Sequence, residues 1–385
     1  MSSTPITLNS KLPTVGTTIF SVMSQLAKAH EAINLSQGFP DFDCDPALME
    51  LVNQYMNAGK NQYAPMTGVP ALTEQIAQKI EKMYGAKLSA ADEITITVGA
   101  TQAIFTIISS CIQVGEEVIL IEPAYDSYRP SIELCGGVPV CYELTKPDFK
   151  IDWDHFKALV TSKTKMIIIN TPHNPTGSIL TATDLEALQA LTRDTNIIVL
   201  SDEVYEHLIY DGVQHESVLR YPELLARSFV TFSFGKTFHA TGWRVGYCVA
   251  PKYLMKEFRK VHQFNVFTIN TPTQYALADY LKTASNYLGL GDFFQKKRDY
   301  FLSAISTSRF KPIPCQGTYF QLVDYSAISL ERDVEFAKRI TKDYRVAAIP
   351  ISVFYSSGRN DHVIRFCFAK KEETLAAAAE MLCTI

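Results

Sequence analysis

The chain has 385 residues, of which 47% are hydrophobic and 20% charged, so it can bury a sizeable core and is not expected to be disordered. Its formal net charge of −4 argues against broad nucleic-acid or polybasic membrane binding. No apolar stretch is long enough to span a bilayer, and the N-terminal MSSTPITLNSKLPTVG lacks the apolar core of a signal peptide; a cytoplasmic protein with neither membrane nor nucleic-acid partners is expected.

In chain order, residues 17–30 read as a helix with Ile19, Phe20, Met23, Leu26 and Ala27 on one side. Pro70 to Tyr84 carries Leu72, Ile76, Ile80 and Met83 at helical spacing, opens on proline and stops at Gly85. Short runs rich in Ile, Val or Phe come next, at 94–98, 118–121, 166–169, 197–200 and 229–232, separated by polar or helix-patterned segments such as 182–194. This alternation predicts an α/β domain with a mostly parallel sheet and helices on both faces. A further strand-like run spans 245–250. Phe264 and Phe267 are expected either in the core or lining a pocket. Beyond residue 285, helix patterns at 288–308, 333–343 and 371–382 and strand patterns at 318–323 and 363–368 predict a smaller α+β domain. The expected division is 46–284 for the large domain, with 1–45 and 285–385 forming the small one. The eight cysteines, at 44, 111, 135, 141, 248, 315, 367 and 383, form no CxxC pair; buried free thiols are expected rather than disulfides or a metal site.

The residues just past each central run carry the chemistry. The run at 94–98 leads to Gly99, Ala100, Thr101 and Gln102, and that at 118–121 to Tyr125. The next leads to NTPHNPTG with Asn174, the fourth to SDEVY with Asp202 and Tyr205, and the fifth to Ser233 and Lys236. In open parallel sheets ligands bind beyond the carboxyl ends of the strands, so these groups would line one pocket. A lone lysine just past a buried strand suits an amine that forms a Schiff base with a carbonyl cofactor. Pyridoxal phosphate needs such a lysine, an acid near its ring nitrogen, a phosphate cradle and an aromatic surface. Lys236 can supply the first and Asp202 the second. Ala100, Thr101 and Gln102 sit where a helix should begin and favour a phosphate, with Ser233 and Arg244 completing the cradle. Tyr125 can stack on the ring, and Asn174 and Tyr205 can bond its phenolic oxygen. Taken singly, Asp202 could cap a helix, Asn174 could start a turn, and Lys236 could be a surface charge. Arg365, inside an apolar run, needs either an acidic partner or a carboxylate ligand. His173 and His239 are given no chemistry.

Seven motifs span nearly the whole chain: NLSQGFPDF (34–42), NQYAPMTG (61–68), GATQA (99–103), NTPHNPTG (170–177), SDEVYEH (201–207), SFGKTFHATGWRVGY (233–247) and VIRFCFA (363–369). In these motifs and their order the chain resembles fold-type I, class I/II pyridoxal-phosphate aminotransferases. It is especially similar to methionine aminotransferases of the kynurenine/glutamine transaminase-like branch. The resemblance implies that Lys236 is the Schiff-base lysine and proton shuttle, Asp202 the ring-nitrogen partner, and Asn174 and Tyr205 the pair on the phenolic oxygen. It gives Ser233 and Arg244 to the phosphate, and Tyr63 to the phosphate of a neighbouring subunit's cofactor, hence a homodimer with shared sites. Arg365 would grip the substrate α-carboxylate, with a backbone contact from Gly38 and help from Asn174. Gly235 departs from the many members that carry a second serine before the lysine. The implied activity is ping-pong transfer of an amino group from methionine or aromatic and other bulky uncharged amino acids to a 2-oxo acid. The alternatives are a cysteine-conjugate β-lyase on the same fold and a non-enzymatic ligand-sensing regulator.

Overall fold

The computed structural model describes residues 7–385; residues 1–6, counted above in the small domain, lie outside the described residues. The strands are β1 (Ile33–Asn34), β2 (Ile94–Thr97), β3 (Glu117–Glu122), β4 (Val138–Glu143), β5 (Thr164–Asn170), β6 (Ile198–Asp202), β7 (Ser228–Ser233), β8 (Gly246–Val249), β9 (Lys311–Pro312), β10 (Phe320–Asp324), β11 (Val346–Ala347), β12 (Ile349–Pro350) and β13 (Val363–Cys367). Seven of them form the central sheet, in the order β2-β8-β7-β6-β5-β3-β4. The contacts among β7, β6, β5, β3 and β4 are parallel, whereas β8 runs antiparallel to both β7 and β2. The expected α/β class with a mostly parallel sheet therefore holds.

Burial explains the apolar runs. All residues of β2, β6, β7 and β8 are buried, as strands covered on both faces require. The edge strand β4 has no counterpart among the expected runs: Val138 is exposed, most of its residues are only half-buried, and Pro139 interrupts the signal, as an edge position allows. The helix Pro70–Tyr84 has the expected limits, with proline in its first turn and Gly85 left-handed at φ 77° as its cap.

Near the C-terminus, β12-β13-β10-β9 form a four-stranded antiparallel sheet in which Leu322 opposes Arg365. The N-terminal segment joins this region through the parallel pair β1–β11 and through Cys367 N–H, which donates to Leu35 O at 2.8 Å. Residues 34–42 are thereby carried to the carboxyl edge of the central sheet, where Lys236 contacts Gly38.

Candidate active site

A cavity of about 250 Å³ opens at that edge, lined by Gly38, Ala100, Thr101, Tyr125, Asn174, Asp202, Tyr205, Ser233, Lys236, Arg244 and Arg365. Phe20, Gln37, Phe39, Ile104, Asn170, Val204 and Phe320 complete its wall. Asp202 ends β6, Ser233 ends β7, and Lys236 lies in the short helical turn Phe234–Thr237 beyond it. Arg244 reaches the same edge from the other direction. It precedes β8, and because β8 is antiparallel its start lies beside the ends of its neighbours.

Lys236 Nζ donates to Tyr319 Oη at 2.8 Å and to Gly38 O at 3.3 Å. Burial, which penalises the ammonium, lowers its pKa to about 8. Asp202 is 4% exposed, and burial raises its pKa to about 6 against the opposing hydroxyl of Tyr128, which donates to Oδ2 at 2.7 Å. It does not cap a helix; its Oδ1 takes only a long bond from Val204 N–H at 3.4 Å. Asn170 ties the neighbouring loops together: its amide donates to Asp202 O, and its Oδ1 accepts from Asn174 N–H, both at 2.8 Å. Tyr205 is buried, which holds its phenol protonated well above the ordinary range.

Arg365 is 1% exposed and has no acidic partner among the described ion pairs. Its guanidinium donates to Asn174 Oδ1 at 2.7 Å and to Ser36 O at 3.2 Å, stacks 3.8 Å from the Phe320 ring centroid, and leaves Nε unpartnered. Burial lowers its pKa to about 10. A buried guanidinium with spare donors facing a cavity is set up to receive a planar carboxylate.

The residues also fit pyridoxal phosphate. The helix Gly99–Cys111 opens at the cavity, so its first amides face a site flanked by Ser233 and Arg244. Gly99 has φ +67°, which strains any residue with a side chain, and a Cβ there would lie 2.8 Å from Arg244 Nη2, so the guanidinium would have to shift. Thr101 Oγ1 and Tyr125 Oη lie 3.2 Å apart at its rim.

Two expectations need correction. Gln102 does not line the cavity: its Oε1 accepts from Val98 N–H at 3.0 Å and its amide donates to Thr106 at 2.6 Å, so the side chain caps its own helix. Phe264 and Phe267 are neither core nor pocket in this chain. They are 87% and 43% exposed, because the helix Lys252–Asn265 ends there and Phe267 turns outward at φ +70°. Tyr63, expected to serve a neighbouring subunit's site, stands away from this chain's own cavity, 82% exposed and edge-on to Phe267 at 5.3 Å. His173 is buried on Thr176, and burial lowers its pKa to about 4, in keeping with a structural part. Tyr128 and Tyr319 escape the sequence reading altogether. Each shows in the sequence only as one tyrosine among nineteen.

Fold and site together define a pyridoxal-phosphate-dependent aminotransferase of fold type I. The chain belongs to the aminotransferase class I and II family, whose model matches residues 30–382. It is 50% identical to the methionine aminotransferase of Escherichia coli (strain K12) over 383 residues, 99% of each chain. It is 34% identical to kynurenine–oxoglutarate transaminase 1 of Mus musculus over 396 residues, 94% of this chain and 93% of the other. The crystal structure of an Escherichia coli protein with methionine aminotransferase function superposes with a TM-score of 0.97 at 50% identity, covering 99% of this chain and 100% of that one.

Proposed function

We propose that this aminotransferase takes methionine and aromatic or other bulky uncharged amino acids as donors. The observation that carries the reading is the cavity wall. Its apolar lining includes Phe20, Phe39, Ile104 and Phe320, and its cations are Lys236, Arg244 and Arg365. With those three engaged by attachment, phosphate and α-carboxylate, no lining cation is left for a carboxylate on the substrate side chain, which would enter unpaired. The activities named for the relatives, on methionine and kynurenine, support the same class.

When bound, pyridoxal phosphate supplies a carbonyl for imine exchange and a ring that accepts the electrons of a breaking C–H bond. The chain does the rest. Ser233, Arg244 and the amides opening the Gly99–Cys111 helix hold the phosphate. Asp202 holds a proton at the ring nitrogen, and its own charge is stabilised by Tyr128. Arg365 and Asn174 orient the substrate carboxylate, which fixes the α-hydrogen near Lys236, whose amine takes it. Buried Tyr205 stays a hydrogen-bond donor to the phenolic oxygen.

The chain acts as a homodimer in the cytoplasm in this reading, with Tyr63 entering the neighbour's site. Support comes from the exposed apolar group Tyr63, Phe264 and Phe267. No described helix is long and apolar enough to cross a membrane. Residues 46–284 are assigned to the cofactor-binding domain, since the seven-stranded sheet falls within them. Residues 1–45 and 285–385 are assigned to the smaller one.

Steady-state kinetics test the substrate class. With a shared 2-oxo acid acceptor, kcat/KM for methionine or phenylalanine is expected to exceed that for aspartate by about 100-fold, the scale of one buried unpaired carboxylate. Faster turnover of aspartate contradicts the reading.

A further inference from the structure

Tyr319 lies outside the cavity lining, behind Lys236, at the turn that enters β10. It is 1% exposed, and its ring packs edge to face on Tyr205 at 5.3 Å and on Phe320 at 4.9 Å. Its hydroxyl accepts from Lys236 Nζ at 2.8 Å and donates to Gly38 O at 2.7 Å, while Lys236 also reaches Gly38 O at 3.3 Å. The hydroxyl thus joins three stretches distant in sequence: residue 38, residue 236 and residue 319. Burial keeps the phenol protonated well above its ordinary range, so it remains both a donor and an acceptor.

We propose that Tyr319 is the positioning residue for the free amino group of Lys236. A neutral amine has two N–H bonds and one lone pair. Tyr319 Oη and Gly38 O take the two N–H bonds, which leaves the lone pair for the cavity, where the cofactor carbonyl or the substrate α-hydrogen must meet it. Without the hydroxyl, the end of a four-carbon side chain has one long bond to hold it, and its lone pair samples unproductive directions. The hydroxyl also accepts from the ammonium form, and an acceptor stabilises a charged donor more than a neutral one. Removing it therefore lowers the pKa of Lys236 further. The other titratable and charged groups acting on Lys236 are Cys367, Arg244, Arg365 and Asp202. Tyr205, beside it, also interacts with the Tyr319 hydroxyl, but burial keeps its phenol neutral with or without that hydroxyl.

The test is Tyr319→Phe, which keeps the ring. In the holoenzyme kcat with methionine is expected to fall about 10-fold while KM stays within about two-fold, because Arg365 still holds the carboxylate. The second readout is the rate at which cofactor-free protein recombines with pyridoxal phosphate, tracked by visible absorbance across pH. The wild-type rate is expected to rise to a plateau with a midpoint near pH 8. The variant's midpoint is expected to move down by about one pH unit and its plateau to fall. Titration of the cofactor's own phosphate is common to both proteins and cancels in the comparison. A purely structural role would leave the midpoint where it is, so an unmoved midpoint overturns the proposal whatever the change in kcat. If Tyr319→Phe does not fold, 3-fluorotyrosine at 319 decides: a poorer acceptor, it is expected to move the midpoint down by a smaller amount, and an unmoved midpoint overturns the idea. The proposal rests on Lys236 as the cofactor's attachment point. Lys236→Ala tests that separately: recombination lost there but unchanged in Tyr319→Phe sinks only the role of Tyr319.

Discussion

Burial shifts the pKa values of Lys236 and Asp202 in opposite directions, and these shifts define a pH test at the level of single residues. Asp202, raised from 3.8 to about 6, holds its proton longer in the folded chain than in the unfolded one. Its effect on stability is absent below pH ~4, grows as a loss as pH rises, and is full above about 6. Lys236, lowered from 10.5 to about 8, destabilises the fold fully below about pH 8 and is relieved as pH rises through 8 toward 10.5. Near pH 7 the cofactor-free protein bears both costs, whereas near pH 5 the Asp202 cost is only partial. On the proposed assignments, a bound ring with a protonated nitrogen would pair with Asp202 and its carbonyl would engage the Lys236 amine, which would remove both costs. The rise in Tm on adding pyridoxal phosphate is therefore expected to be larger at pH 7 than at pH 5, and Asp202→Asn should shrink that difference. Equal shifts at both pH values in the wild type count against Asp202 as the ring-nitrogen partner. These two residues are legible in the sequence because each comes directly after a buried apolar run, a position that spacing reveals. Tyr128 and Tyr319 are not, since their partners Asp202 and Lys236 lie 74 and 83 residues away and no local pattern marks such pairs.

Among the elements, the turn between β2 and the helix Gly99–Cys111 shows how backbone shape enters the site. Gly99 combines a left-handed φ of +67° with a Cβ position that Arg244 Nη2 already fills to within 2.8 Å. Gly99→Ala should both strain the turn and displace the guanidinium. The expected result is a rise of about 10-fold or more in the Kd for pyridoxal phosphate, the scale of one strained backbone position, with the circular dichroism of the fold retained. An unchanged Kd contradicts the cradle. Gly235 is a milder case: a Cβ there would sit 3.0 Å from Thr241 Cα and 3.4 Å from Ser233 Oγ, so the turn before Lys236 packs closely around glycine. The parallel strands and the helix at 70–84 can be read from periodicity because burial on both faces forces continuous apolar runs. The orientation of β8 cannot, since its run is as apolar as those of the parallel strands in the same sheet. Yet that orientation is what brings Arg244 to the ligand edge. Gln102 misleads for a related reason: helix position predicts its backbone correctly, but its side chain turns to serve Val98 and Thr106.

For the whole molecule, the proposal of shared sites makes a mixing experiment decisive. If each site takes Lys236 from one subunit and Tyr63 from the other, Lys236→Ala and Tyr63→Ala chains are complementary: a mixed dimer holds one intact site and one doubly defective site. Co-refolding equal amounts of two weakly active variants should restore about a quarter of wild-type activity, from half the dimers each with half their sites. No recovery above the separate variants contradicts sharing. The central claim, that Lys236 holds pyridoxal phosphate in a pocket built for methionine-like donors, is tested most directly by absorbance. The spectrum of the purified, cofactor-loaded protein is recorded before and after methionine is added with no 2-oxo acid present. The account predicts a visible band from the lysine-bound cofactor that gives way to the shorter-wavelength band of its amine form. A lysine-bound band that methionine, phenylalanine and other uncharged donors all leave unchanged, or no band at all after adding pyridoxal phosphate, would contradict it.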